Sequence, residues 1–594
     1  MKKQFKIYRL PALIALSGGL LLLGCTDSDY DFDKVDYTLG FGGDEITLPG
    51  TSSTKEITLD DLLDITTSDI ITTEANGVYK LFKEPDNAIA PINVNVDRIT
   101  ISANKSQGMS FDIDLPDIPA SLQGQKIVLP YNVLGQDPID IPEVGGEVSL
   151  LDYEFDASSS IKSVEYVEIG ENGQGVDLTL DLTIPDAINK LASLTINLPD
   201  MLTMTCPSME DKFDAKTNVL TLTNYPVNGS IHIVFNATRI NVKTIDENNF
   251  VKLENGKFIL KSNVSLTLKI SEITVPNTNK LTVSGVTLFD DIIITEARGV
   301  FDPDIDLKDI GTVTINSLPS FLTDDEVVAD IDNPQIWLTL SSTMPLGGTI
   351  NAQLTSDTHP TPIVLDPIQV APSADGVNPT LTRIVICRQA PDGLTGYAPM
   401  IVDNLSDLIK KLKEPMEIQF TVTSAKANQT PATVKLGYTY NLAPEYKFEC
   451  PLAFGDNAVI VYSDTENGWH EDIDKLQLAK GAYVHILGTA VNKIPADLVL
   501  DIIPLDVNGQ ELNSSTINVD LIKKDVPGAK DAPQEAPIEL KISGDISRLD
   551  GVTLKLIATS NEQLRGVTLN KTTQTLLLKD VSAKLVGRII YDAN

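Results

Sequence analysis

The sequence predicts an all-β protein made of tandem antiparallel β-sandwich (Ig-like) domains with few short helices, and three observations carry that expectation. The first is period-two alternation of Val, Ile, Leu and Thr, as in Ile92–Ile101 (INVNVDRITI), Val176–Ile184 (VDLTLDLTI), Val264–Ile270 (VSLTLKI) and Thr312–Ile315. Alternation places one face of a strand inward and the other toward water. The second is a set of Asn-Gly pairs at 76/77, 172/173, 255/256 and 467/468, which supply the two positive φ angles of a tight type I′ hairpin. The third is the scarcity of helical periodicity. Leu405, Leu408, Ile409 and Leu412 share one helical face, with Asp403 or Asn404 to cap it and Pro415 to stop it. Short helical turns fit only at Asp60–Leu63 and Asp186–Leu191.

At 594 residues the chain has room for several domains. A weak internal repeat helps to place them. TINLPDMLT from Thr195 matches TINSLPSFLT from Thr314, and Leu220-Thr221-Leu222 with Pro226, Gly229 and Ile231 matches Leu338-Thr339-Leu340 with Pro345, Gly348 and Ile350. The offset stays between 118 and 120 residues, a period that suits whole sandwiches rather than the ~20–45-residue units of a solenoid. The division expected is 1–24 signal segment, 25–45 lipidated cysteine and acidic tether, 46–150 N-terminal β domain, 151–282 and 283–425 two related sandwiches, and 426–594 C-terminal β domain. Lys523–Pro537 has linker composition, but alternation on both sides makes it a long loop within one domain.

Acidic residues outnumber basic ones 82 to 46, a net charge of −36. Residues 1–24 hold four cations and no anion, so removing them leaves −40. Such a surface repels nucleic acid, which is excluded as a partner, and favours basic partners or divalent cations. Apart from Cys25 the cysteines are Cys206, Cys387 and Cys450. They allow one internal disulfide at most, and their apolar, strand-like settings favour buried thiols.

The amino terminus has the zones of a signal peptide. Lys2, Lys3, Lys6 and Arg9 form a basic start, and residues 12–23 form an apolar run too short for the ~20 residues of a spanning helix. Leu22-Leu23-Gly24-Cys25 resembles the lipobox of bacterial lipoproteins. That resemblance implies cleavage before Cys25, diacylglycerol on its sulfur and usually an acyl chain on its nitrogen, a combination sufficient for stable anchoring. The run that follows (TDSDYDFD, Thr26–Asp33) resembles the surface-export signal of Bacteroidota lipoproteins, and Tyr37–Leu63 (YTLGFGGDEITLPGTSSTKEITLDDLL) resembles the start of a group of large surface lipoproteins of those bacteria. The resemblance implies an outer-membrane, cell-surface location and an all-β fold; it names no ligand, because the group has no assigned biochemical activity.

Motifs for chemistry are sparse. There is no Walker A loop, no GxGxxG, no GxSxG elbow, and no His-x-x-x-His or Cys-x-x-Cys pair. Ser52-Ser53-Thr54-Lys55 fits SxxK, but that pattern requires a helix start and here it precedes a strand-like segment. His232 and His485 sit in apolar strand sequences, which favours structural roles, and His359 precedes a proline. The alternate aspartates after Cys25 lack the glycine and distal glutamate of a calcium loop. The richest polar cluster is Tyr462–Asp474, where Asp464, Glu466, Asp472 and Asp474 are candidate calcium or sugar-hydroxyl ligands around Trp469 and His470. Two arrangements compete there: Trp469 stacking on a sugar ring, or Trp469 folded back as a lid on a hairpin tip.

No catalytic residue, and no cofactor beyond that calcium option, is expected. The leading expectation is a lipid-anchored, non-catalytic binding or scaffolding protein with a protein or glycan ligand. A fimbrial anchor or accessory subunit and a glycan-active hydrolase with two facing carboxylates are the alternatives. Cys25→Ala should leave an unacylated precursor that is released from membranes; continued incorporation of radiolabelled palmitate would sink the lipobox assignment.

Overall fold

The computed structural model describes residues 38–52, 56–60, 68, 70–85, 89–102, 107–157, 159–303, 305, 307, 309–316, 318–473 and 476–592. Cys25, the signal segment and the acidic run lie outside the described residues, as do Ser53–Lys55. Alternation produces strands as expected. Val176–Thr183 buries Val176, Leu178, Leu180 and Leu182 and turns Asp177, Asp181 and Thr183 to solvent. The strand Lys257–Thr274 keeps the same inward register over most of its 18 residues. The protein is all-β, and the described strands form six sheets that face one another in pairs.

The first sandwich joins a nine-stranded sheet, whose edges are Gln107–Asp114 and Ala432–Lys435, to a seven-stranded sheet built on Lys257–Thr274. Leu178, Phe235, Leu194 and Leu266 fill the space between them. The second opposes a seven-stranded sheet centred on Gln335–Ser342 and Tyr438–Pro451 to a five-stranded sheet centred on Gly348–Ser356 and Met416–Ala427. The third has a seven-stranded sheet ordered Thr38–Ser52, Thr575–Asp592, Tyr483–Asn492, Gln534–Gly544, Ile517–Lys523, facing a four-stranded sheet that includes Val459–Glu466 and Gly551–Thr559. One continuous core serves the second and the adjoining part of the third, running from Leu338 and Leu354 to Ile460, Leu498 and Ala536, and the rest of the third holds a small core of its own. The first has its own core, and Phe301 packs against both it and the core of the second.

The chain is nested rather than serial. It begins in the third sandwich (Thr38–Ser52, Ile57–Thr58) and passes into the second (Ile71–Thr73, Tyr79–Lys83, Ile92–Val96). It then builds the first between Ile99 and Phe301 and returns through the second to finish in the third. The segment Ile92–Ile101 breaks at Asp97–Arg98, so that Ile92–Val96 belongs to the second sandwich and Ile99–Ile101 to the first. The strand Ala432–Lys435 lies between two second-sandwich strands in sequence yet pairs with Glu296–Gly299 of the first.

Nesting corrects several expectations. Boundaries at 150/151, 282/283 and 425/426 fall inside the strands Val144–Asp156, Lys280–Phe289 and Met416–Ala427. The division that follows the sheets is 99–301 plus 432–435 for the first sandwich, with 71–96 plus 309–427 plus 438–451 and 38–58 plus 459–592 for the others. The strand number also exceeds the about seven to nine of an immunoglobulin domain, because the first sandwich alone has sheets of nine and seven strands. The two halves of the sequence repeat pair differently. Thr195–Asn197 lies beside Val219–Thr221 in one sheet, whereas the strand of Thr314–Ile315 belongs to the five-stranded sheet and Leu338–Leu340 to the seven-stranded one across the core.

Local expectations divide in the same way. Asn255-Gly256 takes two positive φ angles (52° and 74°) and closes the hairpin between Phe250–Glu254 and Lys257–Thr274. Asn172-Gly173 takes the same left-handed conformation in a 3-10 turn whose flanking strands do not pair, and at 76/77 and 467/468 only the glycine is left-handed. Leu405–Ile409 is a short 3-10 helix that buries Leu405, Leu408 and Ile409, but Asn404 gives it no side-chain cap. The helical turn expected at Asp186–Leu191 is absent, since Ile188–Asn197 is a strand. Among the described residues no helix is long and apolar enough to cross a membrane.

The junction between the second and third sandwiches is polar at its rim. Asp332 accepts from Arg565 Nε at 2.6 Å, and its main-chain carbonyl accepts from Arg388 Nη1 at 2.7 Å. Separate cores make separate calorimetric responses. Leu194→Ala should cost about 3 kcal/mol and lower only the transition of the first sandwich, while Leu338→Ala should lower that of the second and third. One transition moved equally by both variants would show that the cores unfold as a unit.

Candidate ligand-binding surface

Trp469 is reached through the strand Val459–Glu466 and the Asn467-Gly468 turn. The carboxylate of Asp550 accepts from the amides of Gly468 (3.2 Å) and His470 (3.1 Å), and the Asp550 carbonyl accepts from Trp469 N at 2.8 Å. This clasp turns the indole back onto a small core of Val484, Ile517, Ile546, Leu549, Leu585 and Ile589, where it is half-buried. Of the two arrangements open in the sequence, Trp469 takes the lid. The side chains of Asp464, Glu466 and Asp472, and all of Asp474, lie outside the described residues, as does Cys25. Among the described residues no group of three His, Cys, Asp or Glu side chains gathers as metal ligands.

The other tryptophan stands in a different setting. Gln335–Ser342 points Ile336, Leu338 and Leu340 into the core, so Trp337 and Thr339 emerge on the outer face. Trp337 Nε1 donates to the Glu449 carbonyl of the neighbouring strand at 3.0 Å, which fixes the indole on the sheet. Tyr397, just before the edge strand Ala398–Ile401, meets it edge-on with ring centroids 5.0 Å apart at 82°, a preferred aromatic geometry. The Tyr397 hydroxyl lies 3.1 Å from Thr339 Oγ1.

Cations border these rings. Lys447 Nζ lies 5.6 Å from the Trp337 centroid and the Arg383 guanidinium 5.9 Å from that of Tyr397, distances at which a cation is attracted to a ring face. Lys80 binds Glu449 at 2.7 Å, and Lys447 binds the same carboxylate. Partial burial pulls the Glu449 pKa up, but the two ammonium groups outweigh it and hold the carboxyl below its ordinary range. Leu381 and Ile401, both more than two-fifths exposed, extend the surface on the same face. The result is an aromatic and cationic patch on a strongly acidic protein.

The remaining candidates resolve into surface and core. His232 faces solvent, with Nδ1 2.6 Å from Asp181, and His485 Nε2 lies 3.0 Å from Glu539 on the outer face of the third sandwich. Alternation sends both to the outward side of their strands. His359 sits in a loop where its amide donates to the Ser356 hydroxyl. Ser52 ends a β-strand opposite Val581, and the rest of the SxxK pattern lies outside the described residues. A shallow opening between Met344, Leu346, Val370 and Leu442 is apolar, and among the described residues Lys426 is the one ionisable residue lining it.

No family model matches the chain, and no curated protein is similar to it. Among solved structures, it is similar to a protein from Parabacteroides distasonis described as secreted, at 14% identity over 49% of this chain and 89% of that one, with a TM-score of 0.32. A sacbrood virus protein of honeybee gives 9% identity over 43% and 91%, with a TM-score of 0.13. The adhesin domain of Epf from Streptococcus pyogenes gives 10% identity over 57% and 97%, with a TM-score of 0.10. Similarities of this size establish no shared fold, and the all-β assignment rests on the strands themselves.

Cys206, Cys387 and Cys450 are free and buried, and burial pushes the Cys450 thiol up to about 12. A thiol so protonated and enclosed is inert. The folded protein should therefore release no thionitrobenzoate from Ellman's reagent through these three residues, and all three should react in guanidinium. A fast native reaction would contradict their enclosure.

Proposed function

We propose that this protein is a lipid-anchored lipoprotein of the outer membrane, displayed at the cell surface, and that it acts as a non-catalytic binding or scaffolding element. The anchor rests on Leu22-Leu23-Gly24-Cys25 and the outward display on the acidic run after it. The observation that carries a binding role is the outer-face patch of Trp337, Tyr397, Arg383 and Lys447. Rings pre-positioned by hydrogen bonds offer stacking area at little entropic cost, and the cations add attraction for an anionic group. A saccharide bearing carboxylate groups has both complements, an apolar ring face and a negative charge.

Two measurements test the reading. Binding of the ectodomain to a glycan array should favour acidic saccharides, and Trp337→Ala with Tyr397→Ala should weaken it about tenfold or more, on the ~1–3 kcal/mol scale of a lost aromatic contact. Binding unchanged in the double variant, or turnover of a glycan substrate, would overturn it. Replacing Asp27, Asp29, Asp31 and Asp33 with Ala should reduce protease accessibility on intact cells; undiminished cleavage would leave the acidic run a simple tether.

A further inference from the structure

We infer that the three sandwiches stand in series from the membrane outward, with the Asp592 end of the C-terminal strand at the anchored end and the sandwich of residues 99–301 at the far end. This inference rests on the lipid anchor at Cys25. Thr38 is thirteen residues beyond that cysteine, a reach of at most about 45 Å. The N-terminal strand then pairs antiparallel with the C-terminal one from Thr38↔Asp592 to Ser52↔Val581, and Ile57–Thr58 continues along it to Leu576 and Thr575. The end at Thr38 and Asp592 is therefore the anchored end. The opposite end lies 18 residues of strand away, about 55 Å at ~3.3 Å per residue.

The second sandwich attaches at that opposite end. Leu59 N donates to the Gln574 carbonyl, Tyr79 N to that of Leu569, and Leu569 N to that of Leu452. Val78 bridges Asn570, Ala453 bridges Thr568, and Arg565 binds Asp332. All of these contacts sit between residues 565 and 576 on the third-sandwich side.

From there a single strand, Tyr438–Pro451, spans the second sandwich. Its Pro451 end lies next to the junction at Leu452, and pairs with Lys80. Its Tyr438 end pairs with Val96 and follows Gly437 and Leu436, whose amides donate to the carbonyls of Val96 and Thr295. The strand Ala432–Lys435 beside it pairs with Glu296–Gly299 of the first sandwich. Fourteen residues of strand add about 45 Å. The first sandwich thus begins roughly 100 Å of strand length from the anchored end, although its residues precede most of the second and third in sequence.

Single cysteines at exposed positions test this, since the native thiols are buried. Gln477→Cys pairs beside Ile590 near the anchored end, Val377→Cys lies on the second sandwich and Leu134→Cys on the first. The full lipidated protein, labelled at one position with a donor fluorophore, is placed in phosphatidylcholine vesicles carrying a headgroup acceptor. Energy transfer should be strong from position 477, weaker from 377 and near background from 134. Equal transfer from the three sites, or transfer strongest from 134, overturns the order. Protein that stays in the supernatant, with no transfer from any site and no palmitate incorporated, overturns the anchor and the orientation with it.

Discussion

The ladder between the first and last described strands, Thr38–Ser52 and Thr575–Asp592, is the constraint on which the architecture depends. It joins segments more than five hundred residues apart, so everything between them is a closed excursion that leaves from and returns to the same sheet. Closing so long a loop costs conformational entropy that grows only logarithmically with its length. The cost is met by contacts formed within each sandwich, each of which buries a face of alternating Val, Ile and Leu side chains. Pairings of such large sequence separation slow folding, and the ladder between the two ends cannot form until the returning strand is available.

Where the sandwiches meet, the two junctions differ in kind. The second and third share one apolar core, rimmed by Arg565, Asp332 and Arg388. The first is joined through a strand lent across the boundary, Ala432–Lys435, and through Phe301. Shared apolar area resists separation more than a short edge ladder does, because a parted core exposes many apolar side chains to water, whereas parted edge amides and carbonyls exchange their partners for water at modest net cost. The net negative charge is spread over outer sheet faces on which lysines and arginines pair with many of the carboxylates, as at Arg298–Glu165 and Lys257–Glu154. Such exposed pairs contribute little to stability individually. At Trp337 and Tyr397 the cations also border aromatic rings, as Arg239 does at Tyr166.

Alternation was legible in the sequence wherever it was strong, and so was the burial of the three thiols. Trp337 was legible as well: in QIWLTLSS the parity of Ile336, Leu338 and Leu340 places the indole outward. Attention to charge density favoured Trp469 instead, and the Asp550 clasp that makes it a lid comes from a turn some eighty residues downstream. Tyr397 carried no signal, since its position beside Trp337 depends on where an irregular loop returns to the sheet edge. The domain boundaries failed for a related reason. A serial reading assumes that neighbours in sequence share a core, and here strands of one sandwich are interrupted by the whole of another.

By itself the sequence determined the all-β class, the inward and outward faces of the strands, the acidic surface and the thiols' enclosure, because each depends on side-chain chemistry at local period two. Tertiary structure alone decided which strands are partners, where the sandwiches begin and end, and that Trp469 folds back under the Asp550 clasp while Tyr397 meets Trp337. Those outcomes depend on backbone pairing between distant segments, and a hydrogen bond between main-chain amides and carbonyls carries no mark of the side chains that flank it.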